Sequence, residues 1–146
     1  MEFTTKTFDE LSCRELYELL RARQDVFVVE QNCPYADLDG RDQGSLHVFS
    51  ADETGTVTAC LRLFRRAGEP DTVQMGRVLT RRRGEGLGAA VLKEGIRKAR
   101  DRLNARQIFL EAQSYAADFY AREGFQICGE EFLEDGIPHV PMRLIL

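Results

Sequence analysis

Hydrophobic and polar positions change their period several times along the chain, and each change marks a predicted element. Residues 2–8 alternate and predict a first strand. Ser12 and Glu15 have the spacing of a helix capping box, and the helix after them carries one apolar stripe. Residues 29–44 are polar and turn-rich and predict a long loop with one short helical turn; ordered loops of this length tend to be functional. The stripe consists of Leu16, Leu19, Leu20, Val26 and Phe27.

The middle of the chain predicts a three-stranded meander followed by a crossover. Residues 47–51, 56–64 and 72–79 are typical of strands, and the turn-forming segments DETG and RAGEPD separate them. Residues 86–103 have a helical period, and residues 107–112 form a short apolar strand. The last strand of the meander, this helix and this strand therefore predict one parallel crossover.

The C-terminal part predicts a second helix and two further strands. Residues 114–123 have a helical pattern, and Gly124 stands where a left-handed cap is expected, with Phe125 as its hydrophobic partner. The remaining residues predict two strands joined by a turn at residues 135–136. Together the elements predict a single α/β domain over residues 1–146. We expect a mixed, mostly antiparallel sheet of about seven strands with helices on both faces.

Composition and charge exclude several classes of function. The 146 residues suit one domain, and 43% hydrophobic with 30% charged residues is a balance typical of soluble proteins. No window approaches the roughly 20 apolar residues of a membrane span, and the first residues lack the pattern of a signal peptide. We therefore expect a cytoplasmic protein that binds no membrane. The net charge of -4 counts against a general nucleic-acid binder.

The cysteines and the acidic loop do not predict a metal site. Cys13, Cys33, Cys60 and Cys128 are scattered without a CxxC pair, so we expect buried thiols rather than zinc ligands or disulfides. None has a neighbour in the sequence that would activate it as a nucleophile. The segment DLDGRD, residues 37–42, lacks the full spacing and the distal glutamate of an EF-hand. We expect no metal.

The stretch RRRGEGLG, residues 81–88, lies at the first turn of the predicted crossover. A helix that begins there directs its first backbone N–H groups, which have no intrahelical partner, at one spot of partial positive charge. Gly84, Gly86 and Gly88 have no side chain that would keep a phosphate away from these amides. The three arginines add fixed positive charge at the rim. The stretch therefore predicts a pyrophosphate site.

The same turn has three other interpretations. A P-loop is excluded, because no Gly-Lys-Ser/Thr follows the required spacing. A dinucleotide fold fits GEGLGA, but the glycines lie past the middle of the chain, and Asn104 stands 20 residues after Gly84, where an acidic residue is required. A tight strand-to-helix connection with solvated arginines stays open as a purely structural explanation.

The segment RRRGEGLG resembles the Q/R-x-x-G-x-G/A segment of the GNAT N-acetyltransferase superfamily. The later segment FLEAQSYAADFYAREGF is similar to the second signature of that family, a strand and then a helix with a tyrosine before Gly-Phe. With LRARQDVFVVEQNCPYADLDGRDQG near the start and FLEDGIPHVPM near the end, nearly the whole chain resembles the ElaA-like branch. The pattern R-x-x-x-F followed by acidic residues also resembles acyl-homoserine-lactone synthases, for which this chain is short.

The resemblance implies acetyl-coenzyme A as cosubstrate and indicates which residues would bind it. In the family the pyrophosphate lies on the glycine turn, which corresponds to the backbone amides of residues 83–88. The strand before the turn splays from its neighbour and offers backbone groups to pantetheine. A glycine inside a strand, such as Gly76, fits a close backbone approach. The residues expected to bind the coenzyme are Gly76, Val78, Thr80, Arg81, Arg83, Gly84, Glu85, Gly86, Leu87, Gly88 and Gln113.

The resemblance further implies transfer of an acetyl group to a primary amine of a small molecule or peptide. Tyr120 matches the helix tyrosine of the family and is the expected general acid, although a core tyrosine is the alternative. An alkylamine with a pKa near 10.4 is only about one part in a thousand neutral at pH 7, so a base is useful. Glu111 is the first candidate base. Glu30, His47 and His139 are the others, and each candidate has a structural alternative.

Acidic residues of the long loop and the last hairpin are expected to wall the acceptor side. Such a wall would attract a cationic amine, although aspartates in residues 37–42 also cap turns well. The residues expected to contact the acceptor are Phe27, Glu30, Asp37, Asp39, His47 and His139.

Two functions other than acetyl transfer, and one mode of self-assembly, also fit the sequence. A non-catalytic acyl-CoA-binding sensor would keep the coenzyme turn without turnover. A nucleotide-binding interaction module would prefer dinucleotides to coenzyme A. A homodimer would form through an exposed final strand, residues 139–146, although Pro141 would interrupt that edge.

Overall fold

Eight strands form one sheet in the computed structural model, which describes residues 2–146. The sheet order is β1-β2-β3-β4-β5-β8-β6, with β7 beside β8, and every neighbouring pair is antiparallel except β4 and β5. The expected mixed sheet is confirmed, with three C-terminal strands where two were expected. The strands are β1 (Thr4–Thr7), β2 (Leu46–Ala51), β3 (Val57–Arg65), β4 (Thr72–Thr80), β5 (Gln107–Gln113), β6 (Gln126–Ile127), β7 (Phe132–Glu134) and β8 (Ile137–Ile145).

Helices cover both faces of the sheet, as the sequence predicts. They are α1 (Cys13–Arg23), α2 (Leu87–Leu103) and α3 (Ala117–Ala121). Alternate residues of β3 belong to separate cores: Leu61 packs with α2 and α3, whereas Cys60 packs with α1. Within residues 2–146, no helix is long and apolar enough to cross a membrane.

The local signals at the helix ends are confirmed. The Ser12 hydroxyl accepts a hydrogen bond from the Glu15 backbone N–H over 3.0 Å, and the Glu15 carboxylate accepts one from the Ser12 N–H over 2.9 Å. Gly124 has φ +100°, and Phe125 after it is buried. These signals depend on neighbouring residues alone, which is why the sequence predicts them well.

Two predicted elements have different bounds. The first helix continues beyond α1 as a π-helical segment, Gln24–Glu30, so it includes the first residues of the predicted loop. The short helical turn expected in that loop is a 3-10 turn at Asp42–Gly44. The helix predicted over 114–123 is divided into a 3-10 turn, Ser114–Ala116, and the five-residue α3.

Two sequence expectations are wrong. Cys13 and Cys128 are exposed, and only Cys33 and Cys60 are buried thiols. The final strand is not an exposed edge, because β8 pairs with β5 along one side and with β6 and β7 along the other. A dimer therefore cannot form through an open edge of β8, and the homodimer stays a prediction without that surface.

The parallel crossover opens part of the way along its strands. β4 and β5 pair from Thr72 opposite Gln107 to Gln74 opposite Phe109. Both strands continue beyond this point, β4 to Thr80 and β5 to Gln113, without pairing to each other. The predicted crossover is confirmed, and its two strands form the sides of a cleft.

Candidate active-site cleft

A β-bulge in β4 lies where the two strands separate. Cys60 of β3 pairs with Leu79 and Arg62 pairs with Gly76, so Arg77 and Val78 together stand opposite one residue of β3. Arg77 adopts φ +52°, which is uncommon for a residue with a side chain. An extra residue bends its strand and increases the local twist. The bulge therefore accounts for the departure of β4 from β5.

The cleft between β4 and β5 has a volume of about 530 Å³. β4 lines one side and β5 the other, while α3, the long loop and the β7–β8 turn complete its walls. Half-open clefts of this size are typical of small-molecule sites. Ten residues that the sequence singles out line it: Phe27, Asp39, Gly76, Val78, Thr80, Arg83, Glu111, Gln113, Tyr120 and His139.

The glycine turn connects the end of β4 to α2. Gly84 and Gly86 have φ +84° and +72°, in the left-handed region that glycine adopts without strain, and Gly86 is the N-cap of α2. A Cβ at either position would meet no protein atom within 4 Å, so open space lies over this backbone. The Leu87 side chain is buried in the core, so only the backbone of this residue is able to contact a ligand. The turn fits a pyrophosphate, because the first amides of α2 are accessible and no side chain covers them.

Carboxylates pair with the arginines of the turn. Arg81 Nη2 lies 3.1 Å from Asp25 Oδ2, and Arg83 Nη2 lies 2.5 Å from Glu30 Oε1. Both acids belong to the π-helical segment. Glu30, expected to contact the acceptor, therefore lies beside the coenzyme turn and not among the residues that line the cleft.

Tyr120 reaches the cleft from α3 while its ring packs in the core. The ring makes edge contacts with Phe119 and Phe125, at centroid distances of 5.0 and 5.9 Å. Burial, with a smaller contribution from Tyr115, raises the pKa of the Tyr120 hydroxyl above its ordinary value. The hydroxyl is therefore protonated at neutral pH and able to donate. The side chain thus contacts the core and also lines the cleft, and its role as general acid stays a prediction.

Glu111 lies on β5 among charges of both signs. Partial burial, and then the negative charge of Glu134, raise the pKa of the Glu111 carboxyl. His139, Arg66 and Arg41 act in the opposite direction, with less effect. A carboxylate with a raised pKa is a stronger base, and this position on the cleft allows it to meet an incoming amine.

His139 lies on β8, opposite Gln113 of the neighbouring β5, and is buried. Its Nδ1–H donates to the carbonyl oxygen of Ile137 over 2.7 Å, and its Nε2 lies 3.7 Å from Glu134. The ring stacks on Phe132 with a centroid distance of 5.8 Å. The imidazole is therefore held by a stacking contact on its ring and by a hydrogen bond at Nδ1, and it lines the cleft.

Besides Glu30, two more residues expected on the acceptor side lie outside the cleft lining. His47 is buried in β2, where its Nε2–H donates to the carbonyl oxygen of Asp42 over 2.9 Å, and burial lowers its pKa. Asp37 is buried beneath the loop. Its carboxylate accepts hydrogen bonds from Arg23 Nε over 2.9 Å and from the Tyr35 hydroxyl over 2.7 Å, and lies 2.7 Å from Arg77 Nε.

A network of arginines and aspartates, which sequence reasoning missed, holds the long loop on the sheet. Asp42 binds Arg23 at 2.7 Å and Arg62 at 3.0 Å, while Asp39 binds Arg62 at 2.6 Å. Arg23 lies on the buried side of α1, and Arg62 lies inside an apolar strand. An arginine among apolar positions was the signal available in the sequence. The acidic loop is therefore largely neutralised and is not a free anionic wall.

A second contact missed from the sequence crosses the cleft mouth. The Gln113 side-chain amide donates to Gln31 Oε1 over 3.1 Å, and Gln31 donates to Gln113 Oε1 over 3.4 Å. This reciprocal pair joins the end of β5 to the residue after the π-helical segment. Gln113, expected to bind the coenzyme, thus also positions the loop.

Splayed parallel strands, with a glycine turn leading into a helix at their ends, define the class of acyl-CoA-dependent acyltransferases. Residues 15–146 match the family model described as acetyltransferase (GNAT) domain. The chain belongs to the GNAT family and to its ElaA-like branch.

Relatives and solved structures agree with this assignment. A UPF0039 protein of Mycobacterium tuberculosis is 43% identical over 138 residues, which cover 91% of this chain and 86% of the relative. The crystal structure of ElaA from Escherichia coli has a TM-score of 0.90 at 33% identity and covers 98% of each chain. An acyl-CoA N-acyltransferase from Pseudomonas aeruginosa has a TM-score of 0.90 at 35% identity and covers 99% of each chain.

Proposed function

We propose that this protein is an N-acetyltransferase that transfers an acetyl group from acetyl-coenzyme A to a primary amine of a small molecule or peptide. The observation that carries the proposal is the cleft between β4 and β5, which has the glycine turn at its end and Tyr120 on its wall. A cleft with an anion site at one end and an acid and a base within it suits acyl transfer.

The coenzyme would lie along β4. The amides of residues 83–88 would bind its pyrophosphate, and Arg81 and Arg83 would add charge at the rim. Gly76, Val78 and Thr80 would offer backbone groups to the pantetheine arm, because β5 leaves these groups free beyond Gln74. Bound acetyl-coenzyme A supplies an activated thioester carbonyl to the chemistry.

Tyr120 and Glu111 perform complementary proton transfers in this proposal. Glu111 takes a proton from the acceptor ammonium, and the amine nitrogen then attacks the carbonyl carbon. As the C–S bond breaks, the Tyr120 hydroxyl donates its proton to the leaving sulfur, and the second proton that the nitrogen loses returns to the Tyr120 oxygen. The net reaction converts an ammonium and a thioester into an amide, a free thiol and one proton released to solvent.

Direct attack is favoured over a cysteine intermediate. Burial raises the pKa of the Cys60 thiol to about 12, so it is protonated and inert at neutral pH. Cys13 and Cys128 are exposed and lie outside the cleft lining. Cys33 lines the cleft, but it is buried and its thiol donates to the backbone carbonyl of Asp135 over 3.7 Å.

The test is amine-dependent release of free thiol from acetyl-coenzyme A, with coenzyme binding measured by calorimetry. Tyr120→Phe should bind the coenzyme with the wild-type Kd and lose about 10²- to 10⁴-fold in kcat, the range of general acid catalysis. Tyr17→Phe is the matched control, because Tyr17 is 65% exposed on α1 and does not line the cleft. Coenzyme binding without thiol release for any amine would favour a sensor, and preference for NADH would favour a nucleotide-binding module.

A further inference from the structure

We propose that the acceptor is a zwitterion, an amine that also carries a carboxylate, and that Arg41 binds this carboxylate. The inference deepens the proposed function and rests on it. Its basis is the separation of charge within the acceptor half of the cleft. Free acids lie on the β5–β8 side, and an arginine without an acidic partner lies on the loop side.

The acidic side would receive the ammonium. Glu111, Glu134 and Asp135 all line the cleft, Glu111 from β5 and the other two from the end of β7 and the turn after it. No lysine or arginine among residues 2–146 forms an ion pair with any of these three carboxylates. Their negative charge is therefore available to a cationic ligand, and Glu111 is also the proposed base.

The basic side is formed by Arg41, in the long loop. Its guanidinium carbon lies 5.0 Å from the centre of the Phe64 ring, and both residues line the cleft. No carboxylate of the described chain lies within ion-pair distance of its nitrogens, and its backbone alone joins the hydrogen bonds of the loop. The guanidinium is thus oriented by an aromatic face with its donors free.

A surplus of positive charge supports this assignment. Every other arginine around the loop has an aspartate partner, and Arg41 is the one left over. Arg62 lines the cleft as well, with a side chain only 5% exposed, and its Nε has no hydrogen-bond acceptor within residues 2–146. Arginine N–H groups that are buried without an acceptor, or held in place by an aromatic ring, suit a carboxylate. A carboxylate accepts two parallel hydrogen bonds from such a guanidinium. The residues compared are Arg23, Arg41, Arg62 and Arg77 with Asp37, Asp39 and Asp42.

This charge distribution disfavours a polyamine. Its first ammonium would fit beside Glu111, but a second cation that extended toward Phe64 would approach the Arg41 guanidinium and repel it. A carboxylate in the same place is attracted. Specificity would then come from attraction of one class of amine and repulsion of another.

The experiment measures thiol release with ω-amino acids of increasing chain length, each compared with its own amide, and with spermidine. Wild-type protein should show kcat/KM at least about tenfold higher for the best amino acid than for its amide, the ratio expected for a hydrogen-bonded charge pair. Arg41→Gln should reduce this ratio to about one through KM for the amino acid, and Arg41→Lys should restore part of it.

Arg65→Gln is the matched control, because Arg65 is a nearby exposed arginine at the end of β3 that does not line this cleft. It should retain the wild-type ratio. Equal or better rates with amides or spermidine, or a ratio that Arg41→Gln leaves unchanged, overturn the zwitterion while the acetyltransferase proposal stands. Absence of thiol release for every amine, with coenzyme still bound, overturns the acetyltransferase proposal and this inference with it.

Discussion

Glu30 and Arg83 form an ion pair that joins the π-helical segment to the glycine turn, with 2.5 Å between Glu30 Oε1 and Arg83 Nη2. Asp25 and Arg81 form a second pair beside it at 3.1 Å. The arginines proposed to flank the coenzyme pyrophosphate thus already bind carboxylates. A phosphate that binds either guanidinium would compete with its carboxylate, so the proposal couples coenzyme binding to the position of the π-helical segment.

Removal of the competing acid should strengthen coenzyme binding. Glu30→Gln leaves the Arg83 guanidinium without its carboxylate, and we expect the Kd for acetyl-coenzyme A to fall by about two- to fivefold, as for an exposed ion pair of up to roughly 1 kcal/mol. Calorimetric titration at low salt measures it. Glu53→Gln, an exposed acid in the β2–β3 turn, is the control and should leave Kd unchanged. Weaker binding in Glu30→Gln would show that Glu30 supports the coenzyme site.

Alanine substitutions at two left-handed glycines should distinguish an effect on stability from an effect on coenzyme binding. Gly86 has φ +72° and Gly55 has φ +87°, and a Cβ at either meets no protein atom within 4 Å. Alanine at either position should lower the free energy of unfolding by about 1–2 kcal/mol. Only Gly86→Ala should also weaken coenzyme binding, because its methyl group would cover the turn amides. Urea unfolding and calorimetry measure the two effects. Equal coenzyme affinity in both variants would place the pyrophosphate elsewhere.

The pH–rate profile should report the environment of Glu111. Burial, and then Glu134, raise the pKa of this carboxyl, and a base acts only when deprotonated, so kcat/KM should rise as the pH increases through that raised pKa. Glu134→Gln removes a negative charge, lowers the pKa of Glu111 and should move the acidic limb to lower pH. Glu130→Gln, an exposed acid nearby, should not move it. An acidic limb that is the same in all three proteins would exclude Glu111 as the base.

The buried network should be essential for stability. Asp42→Asn removes the negative charge that pairs with both Arg23 and Arg62. Breaking such a buried pair costs about 3–5 kcal/mol of unfolding free energy. Urea denaturation measures this loss, with the exposed Asp101→Asn on α2 as a control within about 0.5 kcal/mol of wild type.

The same network should make stability depend on acid pH. Burial alone would raise the pKa of Asp42, but the hydrogen bonds and charges of Arg23 and Arg62 outweigh it and hold the pKa below the ordinary 3.8. Because the folded-state pKa is the lower one, the contribution is complete above 3.8 and is lost as the pH falls through the folded-state value. Wild-type protein should therefore lose stability below this pH more steeply than Asp42→Asn. Parallel slopes would contradict the assignment.

Sequence reasoning succeeded where a property depends on neighbours along the chain. The capping box of Ser12 and Glu15 and the left-handed cap at Gly124 depend on neighbouring residues, and both are present in the structure. The parallel crossover follows from the order of strand, helix and strand, because parallel neighbours need a connection of that length. The sequence by itself therefore determined the family and the sheet with its two helical layers, and it predicts the place of the coenzyme turn.

Only the tertiary structure decided the nature of the acceptor side. Asp37 and Asp42 form ion pairs with arginines that are far from them in the chain. α1, β3 and β4 bring these arginines beneath the loop. Arg41 is left without such a partner, although Asp39 and Asp42 are its close neighbours in the sequence. The free charge at a site is what remains after long-range pairing, and long-range pairing exists only once the strands and helices have packed.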